Sequence, residues 1–458
     1  MTQRFDALIV GAGQAGPSLA VRLAKAGRKT ALIERHLLGG TCVNTGCTPT
    51  KALVASAHAA HIARRGSDFG VKTGPVSVDM RAVKARMDAI VTKSRTGLEN
   101  WLQNTSNCTV IRGHAQFTGP HAMKVGDEIF EAEQIFLNVG ARPLIPNMPG
   151  VDSVPFLTST SILGLNEVPR HLIVVGGGYV GLEFAQLFRR FGSEVTVIEQ
   201  HLRLASREDE DASRVIREIF AAEGIQLRVN AKCIHLERQG DGVLAGMECD
   251  EGAPHVEGSH VLLAVGRTPN TSDLNLAAAG VKVDAKGYIR VNDELQTSAP
   301  GIYALGDCNG RGAFTHTSYN DHEIVADNLL SGGQRKVIDR ISTYAIYIDP
   351  PLARVGLTEA EVRESGRSAL IGNRAMTRVS RAIEKSETAG FMKLLVDAET
   401  KQILGATVFG VGGDEAIHCI LTAMYARQPA SLLTHSVHIH PTVAELIPTV
   451  LGELKSLN

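Results

Sequence analysis

The sequence has no excess of charge of one sign. Its 47 lysines and arginines face 48 aspartates and glutamates, so nothing in the composition favours nucleic acid or an anionic membrane surface as a partner. Long apolar runs are also missing. The run Ala7-Leu8-Ile9-Val10 is too short for a signal-peptide core or a membrane span, and no basic leader precedes it. That reading leads to the expectation of a cytoplasmic protein. Cysteine is sparse and scattered, with seven residues at 42, 47, 108, 233, 249, 308 and 419. An odd, irregular set is not a secreted disulfide framework, and none of it has metal-ligand spacing; no metal site is expected. A reducing compartment and one working pair fit better. At 458 residues the chain exceeds one compact core, and two to four domains are expected.

What is present begins at once. Phe5 to Val10 reads as a buried parallel strand, followed by Gly11-Ala12-Gly13-Gln14-Ala15-Gly16 and a helical stretch from Pro17 to Ala26. A second strand, Lys29 to Ile33, ends at Glu34. This is a dinucleotide fingerprint in its full setting. Gly11, Gly13 and Gly16 let the backbone approach a pyrophosphate at a helix N-terminus, and Glu34 accepts from a ribose.

Next comes Gly39-Gly40-Thr41-Cys42-Val43-Asn44-Thr45-Gly46-Cys47-Thr48-Pro49-Thr50-Lys51. On an ideal helix a five-residue step separates Cα atoms by about 8.6 Å, whereas a disulfide needs them within about 7 Å. An unbroken helix cannot close a Cys42–Cys47 bridge. Gly46 and Pro49 allow the turn to contract, and Lys51 favours a thiolate at Cys47. The alternative is a buried cysteine pair with no redox role. Helical patterns follow over Lys51 to Arg65 and Asp79 to Asn104, then strands at Cys108 to Arg112, Ala122 to Val125, Glu128 to Phe130 and Gln134 to Asn138. The proline-rich segment Pro146 to Pro155 reads as a crossing between domains.

Then the pattern repeats. The strand His171 to Val175 leads into Gly176-Gly177-Gly178-Tyr179-Val180-Gly181, a helix from Leu182 to Phe191, and a strand from Glu194 to Ile198 ending at Glu199. Gly11 and Glu34 stand 23 positions apart, as do Gly176 and Glu199. Two matching units imply two dinucleotides, one a tightly held flavin and the other an exchanging nicotinamide. Glu199 favours a free ribose hydroxyl, hence NADH over NADPH; Arg203 and Arg207 nearby pull the other way unless they lie on a solvated face. Strands ending at Gly266 and at Gly306-Asp307 read as backbone approaching a cofactor. From about Ile341 an α+β domain begins. It ends in His438-Ile439-His440-Pro441-Thr442-Val443-Ala444-Glu445. His440 suits proton exchange with a thiol and Glu445 could orient its ring, although Thr442 and Glu445 also fit a helix capping box.

The two fingerprints, GGTCVNTGCTPTK, GRTPN, ALGD and HPTVAE, in this order, resemble the pyridine nucleotide–disulfide oxidoreductases across essentially the whole chain. That group includes glutathione reductase, dihydrolipoamide dehydrogenase and mercuric reductase. The resemblance implies an α/β fold of two Rossmann-like domains plus a C-terminal α+β dimerisation domain. The expected boundaries are 1–149 and 270–340 for the two parts of an FAD domain, 150–269 for an NAD(P) domain and 341–458 for dimerisation. It implies that Gly11, Gly13, Gly16, Glu34, Gly40, Thr41 and Asp307 bind FAD, that Gly176, Gly178, Gly181 and Glu199 bind the nicotinamide nucleotide under a Tyr179 cover, and that Gly266 is a cofactor-binding position. Cys47 would be the charge-transfer thiol and Cys42 the interchange thiol. Lys51 would pair with Glu183, and His440 with Glu445 would serve a partner subunit's cysteines in a homodimer.

The implied activity passes electrons from NADH or NADPH through FAD and Cys42–Cys47 to a small or protein-bound disulfide, or runs in reverse from a dithiol. Two alternatives remain. One is mercuric reductase-like reduction of a soft metal ion, against which the cysteine-free tail from Leu451 to Asn458 counts. The other is a non-catalytic flavoprotein subunit. Cys108, Cys233, Cys249, Cys308 and Cys419 read as packing residues, and His435 and His438 as local hydrogen-bonding groups.

Overall fold

The computed structural model describes residues 2–457. Met1 and Asn458, the outer limits of the expected domains, lie outside the described residues. Three sheets organise the chain. In the first, parallel strands lie in the order Cys108–Arg112, Thr30–Glu34, Thr2–Val10, Glu128–Leu137, with Ile302–Ala304 added beside the end of Glu128–Leu137. Ala7, Leu8 and Ile9 are completely buried, which is why this stretch reads as unbroken apolar sequence: helices cover the face of Ala7 and Ile9, and the strands Ala115–Gly119 and Ala122–Val125 cover the face of Leu8 and Val10.

The second sheet is a parallel set, Gln226–Arg228, Glu194–Ile198, His171–Val175, His260–Leu263 and Phe156–Thr158. A short antiparallel pair, Ala141–Pro143 with Arg267–Pro269, runs between the two units. The third sheet is antiparallel and carries Thr343–Ile346, Leu352–Gly356, Ile403–Phe409, Phe391–Asp397, Ala369–Ala375 and Lys455–Ser456. It is docked on the second unit by buried charge. Arg354 reaches Glu208 at 2.8 Å and Asp209 at 3.0 Å, and Lys393 reaches Asp209 at 3.0 Å. Burial opposes the charge on Asp209, but the two cations outweigh it and hold its carboxyl below the ordinary range.

Three local readings need correction. Glu128 to Phe130 and Gln134 to Asn138 are one strand, Glu128–Leu137, because it pairs with Thr2–Val10 along its length. Its Glu131 is accommodated by Arg4 at 3.1 Å on the neighbouring strand. Ala115–Gly119, not foreseen, is a further strand beside Ala122–Val125. The helix expected from Lys51 begins at Cys47 and runs to Arg64. Pro49 sits in its first turn, where a missing N–H costs no intrahelical bond.

Candidate active site

The two glycine loops have the same geometry. Gly11 and Gly176 both have positive φ, 101° and 112°. A Cβ on Gly11 would lie 2.3 Å from the Asn138 carbonyl oxygen, and one on Gly176 would lie 2.5 Å from that of Ala264. A Cβ on Gly16 would lie 2.1 Å from Gly11 O, and one on Gly181 2.0 Å from Gly176 O. In the first unit the Ala12 N–H donates to Glu34 Oε2 at 2.8 Å and the His36 N–H to Oε1 at 2.7 Å. In the second the Gly177 N–H donates to Glu199 Oε2 at 2.6 Å and the His201 N–H to Oε1 at 2.8 Å. Each ionised carboxylate keeps acceptor capacity for ribose hydroxyls. A Cβ on Gly40 would meet Gly13 Cα at 2.8 Å, so the cysteine segment packs against the first loop through bare backbone, with Thr41 beside it.

Asp307 ends the cradle of the first unit. Burial raises its carboxyl, opposed by Arg267, whose Nε is 3.5 Å away and buried without a hydrogen-bond partner. A partly buried acceptor and an orphaned donor fit a polyhydroxylated ligand, and the paired glycine loops fit two dinucleotides. The residues present therefore suit FAD and a nicotinamide nucleotide. Gly266 has a φ of 138° and sits just before Arg267.

The helix breaks between the two cysteines. Gly40–Asn44 is one short helix, and Gly46 precedes the 18-residue helix that starts at Cys47. A Cβ on Gly46 would lie 2.8 Å from Thr41 O, so the break requires glycine. Both cysteines are free thiols here. Cys47 stands at a helix N-terminus, where the dipole favours an anion. Contact with the Cys42 thiol, the Thr315 hydroxyl at 3.2 Å from Sγ and the Lys51 charge bring Cys47 down to about 6, against burial. Cys42 is raised, first by its contact with Cys47 and then by burial. The pair is thus polarised, with one anionic sulfur and one protonated.

Lys51, one turn along from Cys47, donates to Glu183 Oε2 at 2.7 Å, and Glu183 is 4% exposed. The Tyr347 N–H donates to the other oxygen, Oε1, at 2.9 Å. Tyr179, which opens the second unit's helix, packs on Phe314 with ring centroids 5.7 Å apart. Phe314 adjoins Thr315, so the candidate nicotinamide cover and Cys47 meet on one segment. At the far end of the chain, His440 Nδ1 lies 3.0 Å from Glu445 Oε2. The Thr442 hydroxyl accepts from the Glu445 N–H at 3.2 Å. Half the capping box is therefore formed, while the carboxylate turns to the histidine. No hydrogen bond joins His440 to Cys42 or Cys47 within the chain among the described residues, and the loop around it exposes Val437 and Ile439.

Sequence reasoning missed Asn138, Thr315 and Tyr347. Asn138 Oδ1 accepts from the Gly16 N–H at 3.0 Å, and its Nδ2 donates to Leu305 O at 2.9 Å. Its place directly after a buried strand was a usable signal. Thr315 and Tyr347 had none, since each reaches the site from a distant segment.

This chain belongs to the pyridine nucleotide–disulfide oxidoreductase family. Residues 5–321 match the model for pyridine nucleotide-disulphide oxidoreductases, and residues 342–451 match that family's dimerisation domain. It is a flavoprotein oxidoreductase of the class acting on sulfur groups, FAD-dependent with a pyridine nucleotide partner. Its relatives include the probable pyridine nucleotide-disulfide oxidoreductase RclA of Escherichia coli, 36% identical over 99% of this chain and 100% of that protein. The mercuric reductase of Streptomyces lividans is 34% identical over 97% of this chain and 94% of its own. The dihydrolipoyl dehydrogenase of Thermus scotoductus is 34% identical over 96% and 95%. The Cu(II) complex of HOCl-induced flavoprotein disulfide reductase RclA superposes with a TM-score of 0.90 at 34% identity, covering 98% of this chain and 99% of that one. Among the described residues no helix is long and apolar enough to cross a membrane.

Proposed function

We propose that this protein is an NADH-linked disulfide reductase that works through Cys42 and Cys47 as a homodimer. The observation that carries the reading is the polarised cysteine pair at a helix N-terminus, with the Lys51–Glu183 pair on one side and Thr315 on the other. Gly11, Gly13, Gly16, Glu34, Gly40, Thr41 and Asp307 would hold FAD, within the first domain (1–149 and 270–340), and Gly266, in 150–269, would approach a cofactor from the second. Gly176, Gly178, Gly181 and Glu199 would hold NADH within 150–269, with Tyr179 covering the nicotinamide. Bound FAD would supply two-electron transfer between the nicotinamide and the cysteine pair.

The chain's own residues do the rest. Cys42 gives its proton to His440 of the partner subunit and attacks one sulfur of the substrate disulfide; an S–S bond breaks and a mixed disulfide forms. The departing thiolate takes a proton from His440 of the partner subunit, whose ring Glu445 orients through Nδ1. Cys47 then attacks Cys42, closing the internal bridge and releasing the second thiolate, which takes its proton from solvent. The lowered Cys47 makes the second attack available near neutral pH. The dimer is supported by the match of residues 342–451 to the family's dimerisation domain and by the exposed His440 loop, which among the described residues hydrogen-bonds to no cysteine. Glu199 supports NADH, since its carboxylate faces the loop with both oxygens already fixed.

A second reading is reduction of a soft metal ion by the same two sulfurs. It is favoured by the mercuric reductases among the relatives and by the Cu(II) complex of RclA. Stopped-flow oxidation of NADH and NADPH against lipoamide, glutathione disulfide, other small disulfides, Hg(II) and Cu(II) separates the readings. The expected result is disulfide turnover with NADH, lost in Cys42→Ala while dye reduction persists. Turnover of the preferred acceptor unchanged in Cys42→Ala rules out thiol chemistry.

A further inference from the structure

We propose that Tyr347 is a positioning residue for the Lys51 ammonium, its ring holding that charge beside Cys47. The inference rests on the reading of Cys47 as a working thiolate. Lys51 Nζ lies 4.7 Å from the centroid of the Tyr347 ring and 2.7 Å from Glu183 Oε2. The Tyr347 backbone N–H donates to Glu183 Oε1 at 2.9 Å. One residue of the C-terminal domain therefore grips both members of the ion pair, the carboxylate by its backbone and the ammonium by its ring face.

The geometry answers a physical need. A lysine head sits on a flexible stem with three donors, and one carboxylate oxygen fixes only one of them. Lys51 is one-third exposed, so water competes for its head. An aromatic face attracts the cation without titrating near neutrality, and burial pushes the Tyr347 phenol above its ordinary value. Cys47 lies one helical turn from Lys51, on the same face. The groups facing Cys47 are Cys42, Thr315, Lys51 and Glu183, with the Tyr179 and Tyr347 phenols beyond them. Asp414, at the start of the helix Gly413–Tyr425, faces Tyr347. Of these, only Lys51 brings a positive charge, so where it points adjusts the proton affinity that the Cys42 contact, burial and the Thr315 hydroxyl first establish.

The test measures the pH midpoint of the Cys47 thiolate in the two-electron-reduced holoenzyme. Long-wavelength flavin–thiolate absorbance gives one readout and the iodoacetamide alkylation rate a second. Tyr347→Leu and Tyr347→Thr both keep the backbone N–H and remove the ring, so the test does not hang on one variant folding. Each is expected to raise the midpoint by about half a pH unit, the size of a lost surface cation–π contact. Tyr347→Phe should restore the wild-type midpoint, and neither ring-less change should shift it further in a Lys51→Met background. A wild-type midpoint in the ring-less variants overturns the inference. So does a Phe variant that behaves like Leu, or an equal shift with Lys51 already gone. A wild-type enzyme with no titrating thiolate overturns the Cys47 reading itself, and the inference with it.

Discussion

The two dinucleotide units share strand, loop, helix and carboxylate almost bond for bond, yet they differ in what lies over the loop. In the first unit Asn138 plugs the turn, accepting from the Gly16 N–H and donating to Leu305 O, so a later segment of chain is stitched onto the phosphate loop. That segment is fixed in turn, since the Gly306 N–H donates to the buried Asp321 carboxylate at 2.7 Å. In the second unit the place of Asn138 falls at Ala264-Val265, and Val265 is exposed. A Cβ on Gly13 would strike Asn138 Oδ1 at 2.8 Å, whereas one on Gly178 would meet nothing within 4 Å. Leu202, Arg203 and Arg207 are exposed beside it. The same motif thus makes a closed cradle in one place and an open one in the other. On the proposed assignment of FAD to the first loop and NADH to the second, the cover and not the fingerprint would separate a retained flavin from an exchanging nicotinamide.

The largest expected contrast comes from placing a methyl group in each loop. Gly16→Ala puts a Cβ 2.1 Å from a carbonyl oxygen inside the central sheet's unit. It should destabilise the fold by about 2–3 kcal/mol and yield protein with little flavin, read as the 450-to-280 nm absorbance ratio. Gly181→Ala is as tight, at 2.0 Å, but should keep flavin and lose NADH binding. Flavin loss in both variants would erase the distinction between the units.

Asn138→Leu comes next. It leaves the Gly16 N–H and Leu305 O unmatched in the interior, at a cost of about 1–3 kcal/mol. Faster flavin release on dilution, with the nicotinamide KM unchanged, is the expected outcome. A raised KM with flavin retained would mean that the plug does not set retention.

The smallest effect concerns the paired carboxylates. Glu199→Ala should move the NADPH-to-NADH ratio of kcat/KM by about tenfold, or about 1.4 kcal/mol, with flavin content untouched. Glu34→Ala should lower flavin content and leave that ratio alone. If Glu199→Ala leaves the ratio unmoved, the exposed Arg203 and Arg207 govern the choice.

Much of this was legible in the sequence because it is local. The glycine spacing, the strand-ending carboxylates and the need for a helix break between Cys42 and Cys47 all sit within a few dozen residues. The break is present, at Gly46, although the helix begins at the cysteine and not at Lys51. What was not legible is contact between distant segments. Thr315 reaches Cys47, Tyr347 reaches Lys51 and Glu183, and Asn138 locks Gly16, each through the tertiary fold. The buried Arg354 and Lys393 were equally silent, since a charged residue in a strand gives no sign that carboxylates await it across a domain boundary. His440 and Glu445 stood as either dyad or cap, and the geometry uses the backbone for one and the carboxylate for the other.

The most direct test is an anaerobic titration of the holoenzyme with NADH, followed at long wavelength. One equivalent should leave the flavin oxidised beside a charge-transfer band from the Cys47 thiolate. That band should be strong at pH 8 and fade as the pH drops through about 6, where the lowered thiol takes up its proton. Bleaching of the flavin by the first equivalent, with no such band at any pH and both cysteines unreactive to alkylation, would contradict transfer through the sulfur pair.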